Sequence, residues 1–439
     1  MIAIPYWPGN FLMMRRFSDR SRALLAAVLV LAMVSLTTPA FADSFQVELE
    51  DGNDIHVEVW PAEGDLLMIW LVDHDQSRPQ FERMLQRINA LGIELWRIDP
   101  LADYFLPRSS ENVRTLSGEG IAAVIAAAHS RSDKRLLLAS YDRMPLPLLR
   151  GVRLWSQQHA ERERLIGSIL YYPNLFGPAP IAGQSPELDP IVSASNYPLV
   201  VVQPTEGSQR WRLPRVMEAF WAAGAPAHVQ LLEGVRDWFF MHRPGEDPLE
   251  DRATEAVPAQ ILRLARLLQA ADKPQHALPL VRSAPQAAKV QELVAFEKPR
   301  QAAGLDLLND RGRRTSTGFA DRVTLVSFWA TWCPPCVEEV PSLNALRAHY
   351  KDRPFALISV DFRESVAAVE KFRRRIDVDF PVLMDSDGRA SLAWGVFSFP
   401  SSFLVDREGR IRYSINRAID WNTPQVHAVI DALLAEVAD

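Results

Sequence analysis

Short apolar runs alternate with amphipathic stretches along most of this chain, a pattern typical of strands that are separated by helices. In the first half, apolar residues recur at helical spacing around 81–91 and 118–129. The runs that predict strands are 45–50 and 55–60, which alternate like a hairpin, then 66–72, 93–98, 135–139, 166–171, 199–202 and 229–232. This alternation predicts an α/β domain with a doubly wound, mostly parallel sheet.

A second strand–helix pattern occupies the end of the chain. Its predicted strands are 323–329, 355–360, 380–384, the run after Pro400 and 410–413, and its predicted helices are 337–350, 366–375 and 423–437. Prolines among helix-forming stretches between the two patterns predict a partly helical connector. The predicted boundaries are 43–270 for the first domain, 271–296 for the connector and 297–439 for the second domain.

Composition and charge narrow the classes of function. With 48% hydrophobic residues in 439, the chain is long and apolar enough for two packed cores. The formal net charge is -6, and no basic block follows the first 42 residues, so we expect no nucleic-acid partner.

The chain contains only two cysteines, Cys333 and Cys336, at the predicted junction between strand 323–329 and the following helix. The free N–H groups at a helix start favour thiolate over thiol, so Cys333 is the predicted nucleophile and Cys336 the resolving thiol. The pair therefore predicts a redox-active disulfide. The alternative is that the two cysteines supply half of the ligands of a zinc site. The other ligands would then be histidines such as His349 and His427, which lack the paired spacing of zinc ligands. We expect no cofactor.

The run 328–336, followed by Glu339 and Pro341, resembles the TlpA/ResA-like branch of the thioredoxin superfamily over residues 297–439. The resemblance implies a thioredoxin-like fold, in which Glu339 matches a glutamate that helps to move protons at the active site. It also implies that Pro400 is a cis proline facing the cysteines. We expect Trp332, Phe399 and Pro400 to line the client-binding surface.

The amino terminus predicts export. Arginines at 15, 16, 20 and 22 precede the apolar stretch 23–36, which ends in an Ala-x-Ala pattern before Asp43. Residues 1–42 are therefore a predicted secretory signal, with Met13 or Met14 as an alternative start. The folded part is expected in the periplasm, and an uncleaved anchor in the inner membrane is the alternative.

The first domain weakly resembles an α/β-hydrolase that has lost its catalytic residues. The segment 139–143 lacks both glycines of the nucleophile turn, and Asp237 stands where a catalytic histidine is expected. A triad of Ser140, His242 and Glu206 is the remaining catalytic alternative, and its spacing fits poorly. We therefore expect a non-catalytic domain that binds or docks clients. Residues 73–75 form an acidic loop after a predicted strand. We interpret this loop as a polar strand end rather than a metal site.

Together these features predict an exported thiol-disulfide oxidoreductase that reduces disulfide-containing client proteins. The resemblance implies a membrane protein that relays electrons to the dithiol, while the opposite direction, client oxidation, stays open. Cytochrome c maturation is a common task of this family, but no residue here identifies an apocytochrome. The alternatives are a redox-sensing binding protein and a hydrolase with a tethered redox module.

Overall fold

The computed structural model describes residues 43–73, 78–159, 163–177, 182–281 and 293–436. These residues form two eight-stranded mixed sheets, one built before residue 233 and the other after residue 293. The predicted α/β class is thereby confirmed. The predicted signal segment 1–42 lies outside the described residues. No helix in the described part of the chain is long and apolar enough to cross a bilayer.

The first sheet has the order β1-β2-β4-β3-β5-β6-β7-β8. Its strands are β1 (Asp43–Glu48), β2 (Asp54–Trp60), β3 (Leu66–Leu71), β4 (Ile93–Ile98), β5 (Arg135–Tyr141), β6 (Leu165–Tyr171), β7 (Leu199–Pro204) and β8 (Ala227–Leu232). β2 pairs antiparallel with both β1 and β4, and all other neighbours are parallel. The predicted opening hairpin and parallel sheet are both present.

The helices of this first unit cover both faces of the sheet. They are α1 (Pro79–Asn89), α2 (Pro100–Asp103), α3 (Ser110–Thr115), α4 (Glu119–Arg131), α5 (Pro145–Gln158), α6 (Pro190–Ser193), α7 (Leu213–Ala222) and α8 (Pro248–Ala270). Central strands are buried on both sides; in β3, Leu67 packs into one core and Met68 into the other. Such strands appear in sequence as continuous apolar runs rather than alternating ones.

The second sheet has the order β11-β10-β14-β13-β12-β15-β16-β9. Its strands are β9 (Val294–Gln301), β10 (Leu305–Asn309), β11 (Arg314–Thr317), β12 (Val323–Trp329), β13 (Phe355–Phe362), β14 (Val382–Asp385), β15 (Ser401–Val405) and β16 (Arg410–Ile415). Its helices are α9 (Pro334–His349), α10 (Val366–Arg373), α11 (Arg389–Trp394) and α12 (Pro424–Ala435). The three strands before residue 318 were not predicted from the sequence. β9 and β11 consist mostly of polar residues, and β10 is only five residues long.

The register of the central strands determines where the cysteines lie. β12 runs antiparallel to β15, and Phe328 lies opposite Ser401. The carboxyl end of β12 therefore meets the amino end of β15. This pairing brings the turn that leads into Cys333 next to Pro400, although the two are far apart in sequence.

Candidate functional site

Cys333 and Cys336 form a disulfide at the start of α9. Cys333 is the N-cap residue, and its Sγ accepts a hydrogen bond from the backbone N–H of Cys336 at 3.3 Å. A sulfur in this position receives one of the free N–H groups of the first turn. The first turn contains no acidic residue, so nothing there opposes the positive end of the helix dipole. Both conditions favour a thiolate at Cys333 once the disulfide is reduced.

Burial does not separate the two sulfurs in this disulfide form. Cys333 is 4% exposed and Cys336 is 2% exposed. The predicted roles of nucleophile and resolving thiol therefore depend on the N-cap position of Cys333 rather than on exposure.

Glu339 is buried on the same helix, three residues after Cys336 and thus on the same face. Its Oε1 accepts hydrogen bonds from the indole Nε1 of Trp421 and from the backbone N–H of Ile419, the latter at 3.3 Å. Burial raises the pKa of Glu339 to about 7, and these two hydrogen bonds partly oppose the rise. A carboxyl group with that pKa exchanges protons readily at neutral pH.

A second acidic residue, missed in the sequence, holds the turn before the cysteines. Glu364 accepts hydrogen bonds from the backbone N–H and the hydroxyl of Thr331, both at 2.6 Å. Nearby, Asp361 is fully buried at the end of β13, and burial followed by the negative charge of Glu364 raises its pKa well above the ordinary value. No local sequence signal marks either residue, because they reach the cysteine turn only through the pairing of β12 with β13.

The predicted client-binding residues lie together beside the disulfide. The peptide bond between Phe399 and Pro400 is cis. The ring of Phe399 meets the ring of Trp332 edge-on, with centroids 5.9 Å apart, and packs against Phe362 at 4.8 Å. Trp332 is 53% exposed, whereas Pro400 is buried. The exposed ring of Trp332 therefore lies one residue before Cys333.

The alternative hydrolase triad is not brought together. Ser140 is completely buried within β5. His242 hydrogen-bonds through Nδ1 to Glu250, and Glu206 forms an ion pair with Arg363 of the second unit. Since each residue has a different environment or partner, these three side chains form no catalytic unit in the described structure.

The sharp turn of the first unit falls at Asp142 rather than at Ser140, because β5 extends two residues beyond the predicted strand. Asp142 has φ 51°, in the left-handed region, and its carboxylate pairs with Arg143 at 2.9 Å. Asp237 accepts hydrogen bonds from the backbone N–H and hydroxyl of Ser208, at 2.7 and 2.8 Å. Burial raises the pKa of Asp237 to about 6.

The residues considered as metal ligands have other surroundings. His349 and His427 stack with ring centroids 4.5 Å apart at the far end of α9, away from the cysteines. Asp73 is buried, and its backbone N–H lies 3.4 Å from the hydroxyl of Tyr141; His74 and Asp75 lie outside the described residues. Among the described residues, no cluster of three or more His, Cys, Asp or Glu side chains suits a metal.

Residues 295–430 match the Redoxin family model. The chain is 37% identical over 93 residues to the thiol-disulfide oxidoreductase ResA of Bacillus thuringiensis, covering 21% of this chain and 54% of that protein. It is 32% identical over 123 residues to the thioredoxin-like protein YneN of Bacillus subtilis, covering 27% of this chain and 71% of that protein.

The chain therefore belongs to the thioredoxin-like family, and its C-terminal region is a Redoxin domain similar to ResA. It spans about half the length of the ResA proteins it matches. A solved thioredoxin-family thiol:disulfide interchange protein of Chlorobium tepidum is 23% identical, with 32% of this chain and 100% of that chain covered and a TM-score of 0.28. That score is low, and the family assignment rests on the sequence matches.

Proposed function

We propose that this protein is an exported thiol-disulfide oxidoreductase that reduces disulfides in client proteins. The observation that supports this function best is the combination of Cys333 at a helix N-terminus with Glu339, a buried acid of pKa about 7, on the same helix. Thiol–disulfide exchange requires a thiolate that attacks the client, and a nearby proton acceptor helps to ionise the resolving thiol.

The proposed reaction begins with the reduced protein. The Cys333 thiolate attacks one sulfur of the client disulfide, a mixed disulfide forms, and the first client thiolate leaves. Glu339 accepts the proton of Cys336, whose thiolate then attacks Sγ of Cys333 and releases the second client thiolate. The client gains two electrons, and the protein ends with the Cys333–Cys336 disulfide. A membrane thiol-relay protein is the proposed donor of the two electrons that restore the dithiol.

The proposed role of the first unit is to bind or dock clients on a hydrolase-like scaffold without hydrolysis. The antiparallel opening pair, the parallel strands that follow and the turn at Asp142 with positive φ support the scaffold. The carboxylate of Asp142 is neutralised by its neighbour Arg143, and an acid, Asp237, replaces the expected histidine base. Neither substitution favours attack on an ester or amide.

Turnover of insulin disulfides in the presence of dithiothreitol tests the proposed activity. We expect the protein to accelerate insulin reduction. Pre-reduced Cys336→Ser, mixed with a client after the dithiothreitol is removed, should accumulate a client mixed disulfide on Cys333. A protein with a reactive Cys333 but no acceleration would instead support the redox-sensing alternative. Labelling of Ser140 by a fluorophosphonate would favour the hydrolase alternative.

A further inference from the structure

Two arginines connect the first unit to the Redoxin domain, one from each side. Arg212 lies just before α7, and its Nη2 donates a hydrogen bond to the backbone carbonyl of Val396 at 2.7 Å. Its guanidinium carbon lies 3.3 Å from the centroid of the Phe397 ring. An arginine that both donates a hydrogen bond and stacks on an aromatic face is held in one orientation.

Arg363 makes the reciprocal contact from the Redoxin domain. Its side chain is 6% exposed and forms an ion pair with Glu206. It also donates hydrogen bonds to the backbone carbonyls of Thr205 at 3.0 Å and Gly207 at 3.3 Å. The backbone of Arg363 has φ 59°, which non-glycine residues rarely adopt unless surrounding contacts maintain it.

Both arginines lie at or contact segments that are close to the disulfide. Phe397 is two residues before Phe399, whose ring packs on Trp332 and whose peptide bond to Pro400 is cis. Arg363 immediately precedes Glu364, which holds Thr331, two residues before Cys333. The first unit therefore contacts the 396–400 loop through Arg212. It also contacts Arg363, which lies next to the residue that holds the cysteine turn.

We propose that Arg212 is a positioning residue for client reduction: it fixes the 396–400 loop from the first unit, so that the backbone next to Pro400 is prepared to pair with a client. This inference rests on the proposed reductase function. Preorganisation of a binding loop lowers the cost of ordering it in the encounter. Because Arg212 does not contact the sulfurs in the described structure, its loss should affect clients that use the loop and spare the chemistry of Cys333.

The test compares a protein client with a small probe, using pre-reduced protein in single-turnover mixing. We expect Arg212→Ala to lower the ratio of the maximal single-turnover rate to the half-saturating insulin concentration about tenfold. The change should come mainly from a higher half-saturating concentration, because misplacement of a binding group readily costs that much. Reaction with hydroxyethyl disulfide and alkylation of Cys333 by iodoacetamide should change less than about twofold. Arg212→Lys, which keeps the charge and one donor, should recover part of the insulin rate.

The matched control is Arg135→Ala, which removes an arginine of the first unit that pairs with Asp65 away from the Redoxin domain. It should leave both reactions unchanged. Unaltered insulin kinetics in Arg212→Ala would overturn the inference, as would equal losses with insulin and with hydroxyethyl disulfide. If Arg212→Ala does not fold, Arg212→Gln, which keeps a side chain of similar length and removes the charge, gives the same comparison. An inactive wild-type protein would instead refute the proposed function.

Discussion

The two halves of this protein each contain a strand that ends in a sharp turn and a helix that begins with proline, yet only one of these junctions suits redox chemistry. In the Redoxin domain, β12 leads to Cys333 and then to α9. In the first unit, β5 leads to Asp142 and then to α5, with Pro145 as the first helical residue. A helix N-terminus stabilises negative charge in either case.

The difference lies in the side chain at the junction and in its neighbours. The carboxylate of Asp142 already has a cation, Arg143, at 2.9 Å. The Sγ of Cys333 instead accepts a hydrogen bond from the backbone N–H of Cys336, which favours the thiolate once the disulfide is reduced. Both junctions also have an acid with a raised pKa, Asp237 and Glu339. A strand–helix junction beside an acid of raised pKa is therefore not sufficient for redox chemistry, because the junction must also carry a nucleophilic sulfur.

The largest expected effect comes from removing that nucleophile. Cys333→Ser should reduce insulin turnover to the dithiothreitol background, a loss of about 100-fold or more, because the thiolate is the attacking group. The measurement is the rate of insulin precipitation. Substantial residual turnover would show that Cys336 attacks clients directly and would reverse the assigned roles.

The next effect concerns proton transfer. Glu339→Gln should lower the rate of client release about 10- to 100-fold, since the amide cannot accept the proton of Cys336. In the wild-type protein, raising the pH through about 7 ionises Glu339 and should increase this rate. The variant should lose that inflection. A wild-type pH–rate profile that is flat between pH 6 and 8 would remove Glu339 from the mechanism.

Glu339 should also make stability depend on pH. Its pKa is about 7 when folded and 4.5 in the reference state, so the native protein retains a proton that the unfolded chain loses. The stabilising contribution is complete below pH 4.5 and declines as pH rises through about 7. Between pH 4 and 8, the free energy of unfolding of the oxidised wild-type protein should fall relative to Glu339→Gln by at most about 3 kcal/mol. Denaturant titration at each pH measures the difference, and parallel curves would contradict the assignment.

The smallest effect is expected at the other junction. Asp142→Asn should leave insulin turnover unchanged and alter the free energy of unfolding by about 1 kcal/mol or less, because asparagine tolerates the positive φ and the lost ion pair is partly exposed. Turnover assays and denaturant titration of the same preparation test both statements. A tenfold loss of client reduction would mean that the first junction takes part in the reaction.

Local motifs were enough to predict a candidate redox site, because the elements that form it are close in sequence. The cysteine pair, the helix start and Glu339 lie within seven residues and required only helical spacing to interpret. Glu364 was missed because strand pairing, rather than sequence proximity, brings it to Thr331. The cis bond before Pro400 was expected from family resemblance alone.

In the first unit, the buried strands were predictable from their apolar runs. The residue at the turn was not predictable, because it depends on where the strand ends, and periodicity does not define that position. The extension of β5 to Tyr141 moved the turn from Ser140 to Asp142. The edge strands β9 and β11 escaped prediction because exposed polar residues dominate them, and β10 escaped it because it is only five residues long. Contacts between the two units, such as those of Arg212 and Arg363, have no sequence signature.

The most direct test of the central claim is the rate at which iodoacetamide alkylates each cysteine of the reduced protein between pH 5 and 9, resolved by peptide mass spectrometry. The account predicts that Cys333 reacts at least about tenfold faster than Cys336 at pH 7, with a midpoint below the ordinary thiol pKa of about 8.5. Equal, slow alkylation of both cysteines with midpoints at or above that value would contradict it.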